Sequence, residues 1–100
     1  FVLENWYPSS TNAPKDEHNN NLTMLNVGTG KDISIKDLAY KISNLVNYKG
    51  KIIWDKNKPD GTPRKLLDIS KIKDLGWEPK ISLNEGIKKS LESFKKEYNF

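Results

Sequence analysis

The chain pattern predicts an α/β fold: a small βαβ unit with a parallel strand pair, followed by C-terminal helices. Three observations predict it. Two short apolar runs, Met24–Val27 and Lys51–Asp55, flank a segment with helical periodicity, and a capped amphipathic stripe closes the chain. A strand, a helix and a second strand in about thirty residues imply parallel pairing with a right-handed crossover.

The elements follow in order. Phe1–Tyr7 reads as the last turn or two of a helix stopped by Pro8. Residues 8–23 are Pro, Ser, Thr, Asn and charge, including Asn19-Asn20-Asn21. They form a loop or linker of about sixteen residues, long for a compact domain. Met24–Val27 is the first strand and ends at Gly28-Thr29-Gly30. Ser34 caps the next helix with Asp37 three residues on, and Ile35, Leu38, Ala39, Ile42, Leu45 and Val46 share one face to about Asn47. Lys51–Asp55 is the second strand. Lys58–Lys65 is a loop in which Asp60-Gly61 reads as a turn, and Lys65–Leu67 reads as briefly extended. Asp68 or Ser70 caps a short helix ending at Leu75, with Gly76 as its left-handed stop. Ser82 and Glu85 form a capping box ahead of Leu83, Ile87, Leu91, Phe94 and Tyr98, a helix over Ser82–Tyr98. Gly86 inside it predicts close packing on a neighbour. Trp54 and Trp77 are candidates for the edges or core of the unit.

Composition narrows the function. With 100 residues, 35% apolar and 30% charged, the chain has one modest core, and its ten aromatics argue against disorder. It has no cysteine, which excludes disulfides and thiolate zinc sites and fits a reducing, cytoplasmic setting. No apolar run approaches the ~20 residues that span a bilayer, so no membrane partner is expected. The chain opens Phe-Val-Leu without an initiator methionine, as a piece of a longer protein would. The net charge of +4 invites a polyanion reading, but sixteen of the seventeen basic residues are Lys and only Arg64 offers a planar fork. Basic and acidic residues are interspersed and no nucleic-acid motif is present, so no nucleic-acid partner is expected.

The residues for catalysis are few. His18 stands alone in a polar loop, where a solvated role is the ordinary one, and one histidine without clustered carboxylates makes no metal site. Asn21-Leu22-Thr23 matches a glycosylation sequon by chance composition. Gly28-Thr29-Gly30 looks like the start of a dinucleotide fingerprint, yet the third glycine is missing and the helix cap comes late at Ser34. A turn that needs positive φ is the better explanation of these glycines. In Lys58-Pro59-Asp60-Gly61-Thr62-Pro63-Arg64-Lys65, two prolines stiffen a loop that carries one carboxylate and three cations. Arg64 and Lys65 suit a diphosphate and Asp60 can accept sugar hydroxyls; a solvated turn is the plainer alternative.

Several segments resemble the C-terminal region of the extended short-chain dehydrogenases/reductases that act on nucleotide sugars. They are Asn26-Val27-Gly28-Thr29-Gly30, Ser34–Ala39, Leu75–Pro79 and Ser82–Ile87. Lys58–Asp68 more specifically resembles the GDP-L-fucose synthase family, and the resemblance spans about residues 24–98. It implies an NADPH-dependent epimerase and reductase, working as a homodimer, that turns GDP-4-dehydro-6-deoxy-mannose into GDP-L-fucose. It implies that the cofactor and the catalytic residues lie on an N-terminal Rossmann domain that this chain lacks. The chain is then the substrate-binding part alone: 1–23 a helix end and linker, 24–100 the nucleotide-sugar domain. It would be inactive by itself, with no catalytic or cofactor-binding residue of its own. By the same resemblance Asp60 corresponds to a substrate contact, Lys65 to a cation near the diphosphate, and Arg64 to the adjoining motif position. The alternatives are the same domain from an enzyme of another nucleotide sugar and a basic polyanion-binding module.

Overall fold

The structure is a computed structural model that describes residues 1–99. Four helices follow one another: α1 (Val2–Asn5), α2 (Ile35–Leu45), α3 (Ser70–Asp74) and α4 (Leu83–Tyr98). The chain divides into two compact units. One comprises Phe1–Asp32 with Lys65–Pro79, the other Ile33–Arg64 with the segment from Lys80 onward.

The expected parallel pair is not formed among the described residues. Residues 24–27 and 51–55 join no ladder, and the one β-bridge is antiparallel, Lys15 with Asn21. Each segment falls in a different unit. A strand is stabilised by its neighbour's backbone groups, and neither segment has such a neighbour here. Their side chains are correspondingly open: Met24 is 81% exposed, Ile53 77% and Trp54 41%.

The first unit holds the buried core, made by Ala13, Ile69 and Ile72. Ile72 lies on α3, whose end is fixed by Gly76 at φ 98. The Gly76 N–H donates to the Lys73 carbonyl at 2.8 Å and the Trp77 N–H to the Ile72 carbonyl at 3.2 Å. This is a Schellman closure, which needs the left-handed residue that only glycine adopts at little cost. At the other end of α3 the Asp68 carboxylate accepts from the Ser70 N–H at 2.9 Å, and that bond holds its pKa below the ordinary aspartate value. The Asn-rich stretch is ordered in turns around Asp16. Its carboxylate accepts the N–H groups of His18 (2.9 Å) and Asn20 (2.8 Å), and the Asn20 bond lowers its pKa most. Aspartate beside asparagines closes such local turns readily.

In the second unit α2 packs against α4. The Ser34 hydroxyl accepts from the Asp37 N–H at 2.9 Å, as the cap sequence requires. The helix is shorter than the periodicity suggests: Asn47 at φ 56 ends it, and the Tyr48 N–H closes on the Ser43 carbonyl at 2.8 Å. Leu38, Ala39 and Leu45 are half-buried, whereas Ile35, Ile42 and Val46 on the same stripe stay exposed. On α4 only Gly86, Ile87 and Leu91 are half-buried, while the rings of Phe94 and Tyr98 stack on each other with centroids 4.7 Å apart.

The α4 capping box is complete. The Ser82 N–H donates to Glu85 Oε2 at 3.0 Å and the Glu85 N–H to Ser82 Oγ at 3.3 Å. The bond from the Ser82 N–H lowers the Glu85 pKa below its ordinary value. The charged form is therefore favoured by folding. Its contribution is present above the unfolded pKa of ~4.3 and is lost as pH falls through the lower folded value. Acid titration followed by helical circular dichroism should show less fraying between neutral pH and pH ~4 in the parent than in Glu85→Gln, with the gap closing at lower pH. A gap independent of pH would remove the charge from the account.

Gly86 does not have the tight neighbour its position suggests. A Cβ there would meet Ile81 Cγ2 at 3.8 Å, ordinary van der Waals contact. Gly86→Ala should therefore gain about 1 kcal/mol of helix stability, read as a raised thermal midpoint. A lowered midpoint would mean that something closer than Ile81 packs on this face.

Candidate functional site

The Lys58–Lys65 loop leads from the second unit into the first. Its turn lies earlier than the sequence suggests. The Lys58 N–H donates to the Asp55 carbonyl at 3.3 Å and the Asn57 N–H to the Asp55 carboxylate at 3.0 Å, so Asp55 organises the reversal. Residues 60–61 are not in a turn, and a Cβ at Gly61 would meet nothing within 4 Å. The reason is chemical: Asp55 meets two backbone N–H groups, that of Asn57 with its carboxylate and that of Lys58 with its carbonyl.

Asp60, Arg64 and Lys65 are all exposed. Among the described residues Asp60 makes no hydrogen bond or ion pair, while Arg64 is engaged within the chain. An unengaged carboxylate on a proline-stiffened loop is available to accept hydroxyls. Lys65 lies in the first unit, beside the Gly28–Lys31 turn. Gly28, Thr29, Gly30 and Lys31 on one side and Lys65, Leu66 and Leu67 on the other line a concavity of about 200 Å³. Sequence reading gave Lys65 a role and the glycines only a turn.

The turn itself is as the sequence requires. Gly30 has φ 70, and a Cβ there would lie 2.9 Å from Ile69 Cδ1. The space left by the missing Cβ is filled by the buried Ile69 side chain. A dinucleotide cradle uses its glycines to let the cofactor's diphosphate approach and starts its helix at the turn. Here the glycine is backed by protein and the next helix begins only at Ile35. The turn does not fit NADPH.

A larger groove of about 520 Å³ lies in the second unit, beside Asp37, Lys41 and Asn84. Three of its polar side chains are engaged within the chain. Lys41 Nζ donates to Asn84 Oδ1 at 2.8 Å, and Asp37 Oδ2 accepts from the Ser34 hydroxyl at 2.7 Å. His18 is exposed, its Nε2 3.5 Å from Glu17 Oε1, and no group of three or more His, Asp or Glu among the described residues could hold a metal. No helix among the described residues is long and apolar enough to cross a membrane.

No family model matches the chain. Individual proteins do. It is 48% identical over 73 residues, 73% of its length, to GDP-L-fucose synthase of Escherichia coli K12. It is 46% identical over 78 residues, 78% of its length, to GDP-L-fucose synthase of Sinorhizobium fredii. The chain is similar to the GDP-L-fucose synthases. A solved structure of a GDP-6-OMe-4-keto-L-xylo-heptose reductase from C. jejuni superposes with a TM-score of 0.81 and 38% identity over 96% of the chain. The likeness to the GDP-L-fucose synthases covers 23% of the E. coli protein and 25% of the S. fredii protein, and that to the reductase 27% of the solved chain. The chain thus spans about a quarter of the length of the relatives it matches.

Proposed function

We propose that this chain is the substrate-holding part of a GDP-L-fucose synthase. The full protein would convert GDP-4-dehydro-6-deoxy-D-mannose to GDP-L-fucose by epimerising C3 and C5 and reducing the C4 ketone with NADPH. Residues 24–100 form the nucleotide-sugar part and 1–23 lead into it. The rest of the protein supplies the cofactor site and the catalytic groups, the full enzyme is a cytoplasmic homodimer, and this segment alone is inactive. The observation that supports this most is the identity to two GDP-L-fucose synthases.

Asp60 accepts sugar hydroxyls, Lys65 neutralises the diphosphate, and Arg64, at the adjoining motif position, is a third substrate-binding residue. Hydride transfer needs a nicotinamide against the ketone and a proton donor beside the developing alkoxide. In this reading the rest of the protein supplies both, and this segment holds and orients the substrate. On the same reading the exposed Leu3 and Tyr7 of the first segment meet the remainder of the protein.

The test is turnover by the full protein of GDP-4-dehydro-6-deoxy-D-mannose, followed by NADPH absorbance and product identification. GDP-L-fucose is the expected product, and no NADPH consumption would overturn the reading. A second reading, reduction of another GDP-sugar ketone, is favoured by the structural similarity to the GDP-heptose reductase. Reduction without inversion at C3 and C5 would select it.

A further inference from the structure

We propose that Asp60-Gly61 is a site of self-modification, at which the main chain rearranges through a cyclic imide to isoaspartate. This is independent of the GDP-sugar reading. Of the six glycines only Gly61 follows an Asp or an Asn. A glycine has no Cβ to shield its own nitrogen, and a Cβ built at Gly61 would meet nothing within 4 Å. Asp60 and Gly61 are both exposed and lie outside every helix and turn. Among the described residues neither makes a hydrogen bond or an ion pair. The Asp60 carboxyl and the Gly61 nitrogen are thus tethered neighbours, and a reaction between tethered groups needs no encounter.

The other aspartates are held. The carboxylates of Asp16, Asp55 and Asp68 accept backbone N–H groups at 2.9, 3.0 and 2.9 Å. Asp37 lies in α2 and accepts from the Ser34 hydroxyl, Asp74 lies in α3, and Asp32 is engaged within the chain. Each of these is followed by a residue with a full side chain: Glu17, Ile33, Leu38, Lys56, Ile69 or Leu75. A carboxylate that accepts a nearby N–H is oriented by that bond and is not free to turn onto the next nitrogen.

The step balances with water alone. The Gly61 nitrogen attacks Cγ of the protonated Asp60 carboxyl; the N–Cγ bond forms, a Cγ–O bond breaks, and the hydroxyl leaves with the nitrogen's proton as one water. Water then opens the ring at either carbonyl. Breaking the N–Cγ bond restores aspartate. Breaking the bond from nitrogen to the former main-chain carbonyl leaves the chain running through Cβ and Cγ, with the carboxylate directly on Cα. Nothing is oxidised or reduced, and the product has the parent's mass.

The experiment ages the full protein in mildly alkaline buffer made with heavy-oxygen water, then separates its peptides by chromatography with mass detection. The probe for isoaspartate is the methyltransferase that esterifies it with a methyl group from S-adenosylmethionine. The expected result is a second peak of the peptide containing residue 60, growing with time, methylated by the probe and heavier by one labelled oxygen. Gly61→Ala should slow its growth severalfold, and Asp60→Asn, which releases ammonia in place of water, should speed it. An unaltered peptide in the parent while Asp60→Asn rearranges would overturn the proposal. Isoaspartate forming as fast at Asp16, Asp55 or Asp68 would also overturn it, since exposure and freedom from bonds would then not select the site. A Gly61→Ala rate equal to the parent's would remove the open nitrogen from the account and overturn it likewise.

Discussion

Ile72→Ala is expected to cost about 2–4 kcal/mol, the usual range for emptying a buried isoleucine site. Ile72 is 1% exposed and sits on a helix of only five residues, Ser70–Asp74, held otherwise by its Gly76 closure. A helix that short has no stability of its own, so its side chain in the core is what keeps it formed. The substitution also acts on Ile69, the buried residue that backs the Gly28–Gly30 turn. Loss of α3 would therefore loosen the turn as well as lower the thermal midpoint. Lys73→Ala, exposed on the same helix, should change stability by no more than about 0.5 kcal/mol. Thermal unfolding of both variants checks this, and equal effects would show that Ile72 is not the anchor.

Lys65→Ala should raise KM for the GDP-sugar about 10-fold or more and leave kcat nearly unchanged. The diphosphate carries the same charge in the ground state and the transition state, so a cation beside it contributes uniform binding. Steady-state kinetics on the full protein separates the two parameters. A collapse of kcat with KM untouched would put Lys65 in the chemical step and refute its role as a binding cation.

The helix ends were legible in the sequence because their chemistry is local. Ser34 with Asp37, Ser82 with Glu85, and Gly76 after Leu75 each complete a bond within five residues of chain. The faces were less legible. Ile35, Ile42 and Val46 have the right spacing on α2 but lack a covering element. The strand pair depends on backbone groups far along the chain, and alternation alone does not supply a partner. Asp55, not Asp60-Gly61, makes the turn before the proline-rich loop, because capture of two backbone N–H groups outweighs the turn preference of Asp-Gly. The meeting of Lys65 with the Gly28–Lys31 turn joins positions more than thirty residues apart in sequence. Spacing carries no signal for such a contact.

The central claim is that the Lys58–Lys65 loop holds a GDP-sugar, and a crystal structure of the full protein with GDP bound tests it most directly. The diphosphate should lie against Lys65 with its oxygens within hydrogen-bond distance of Nζ, and Asp60 should face the position of the sugar. A diphosphate bound away from Lys65, with Asp60 turned to bulk solvent, would contradict the account.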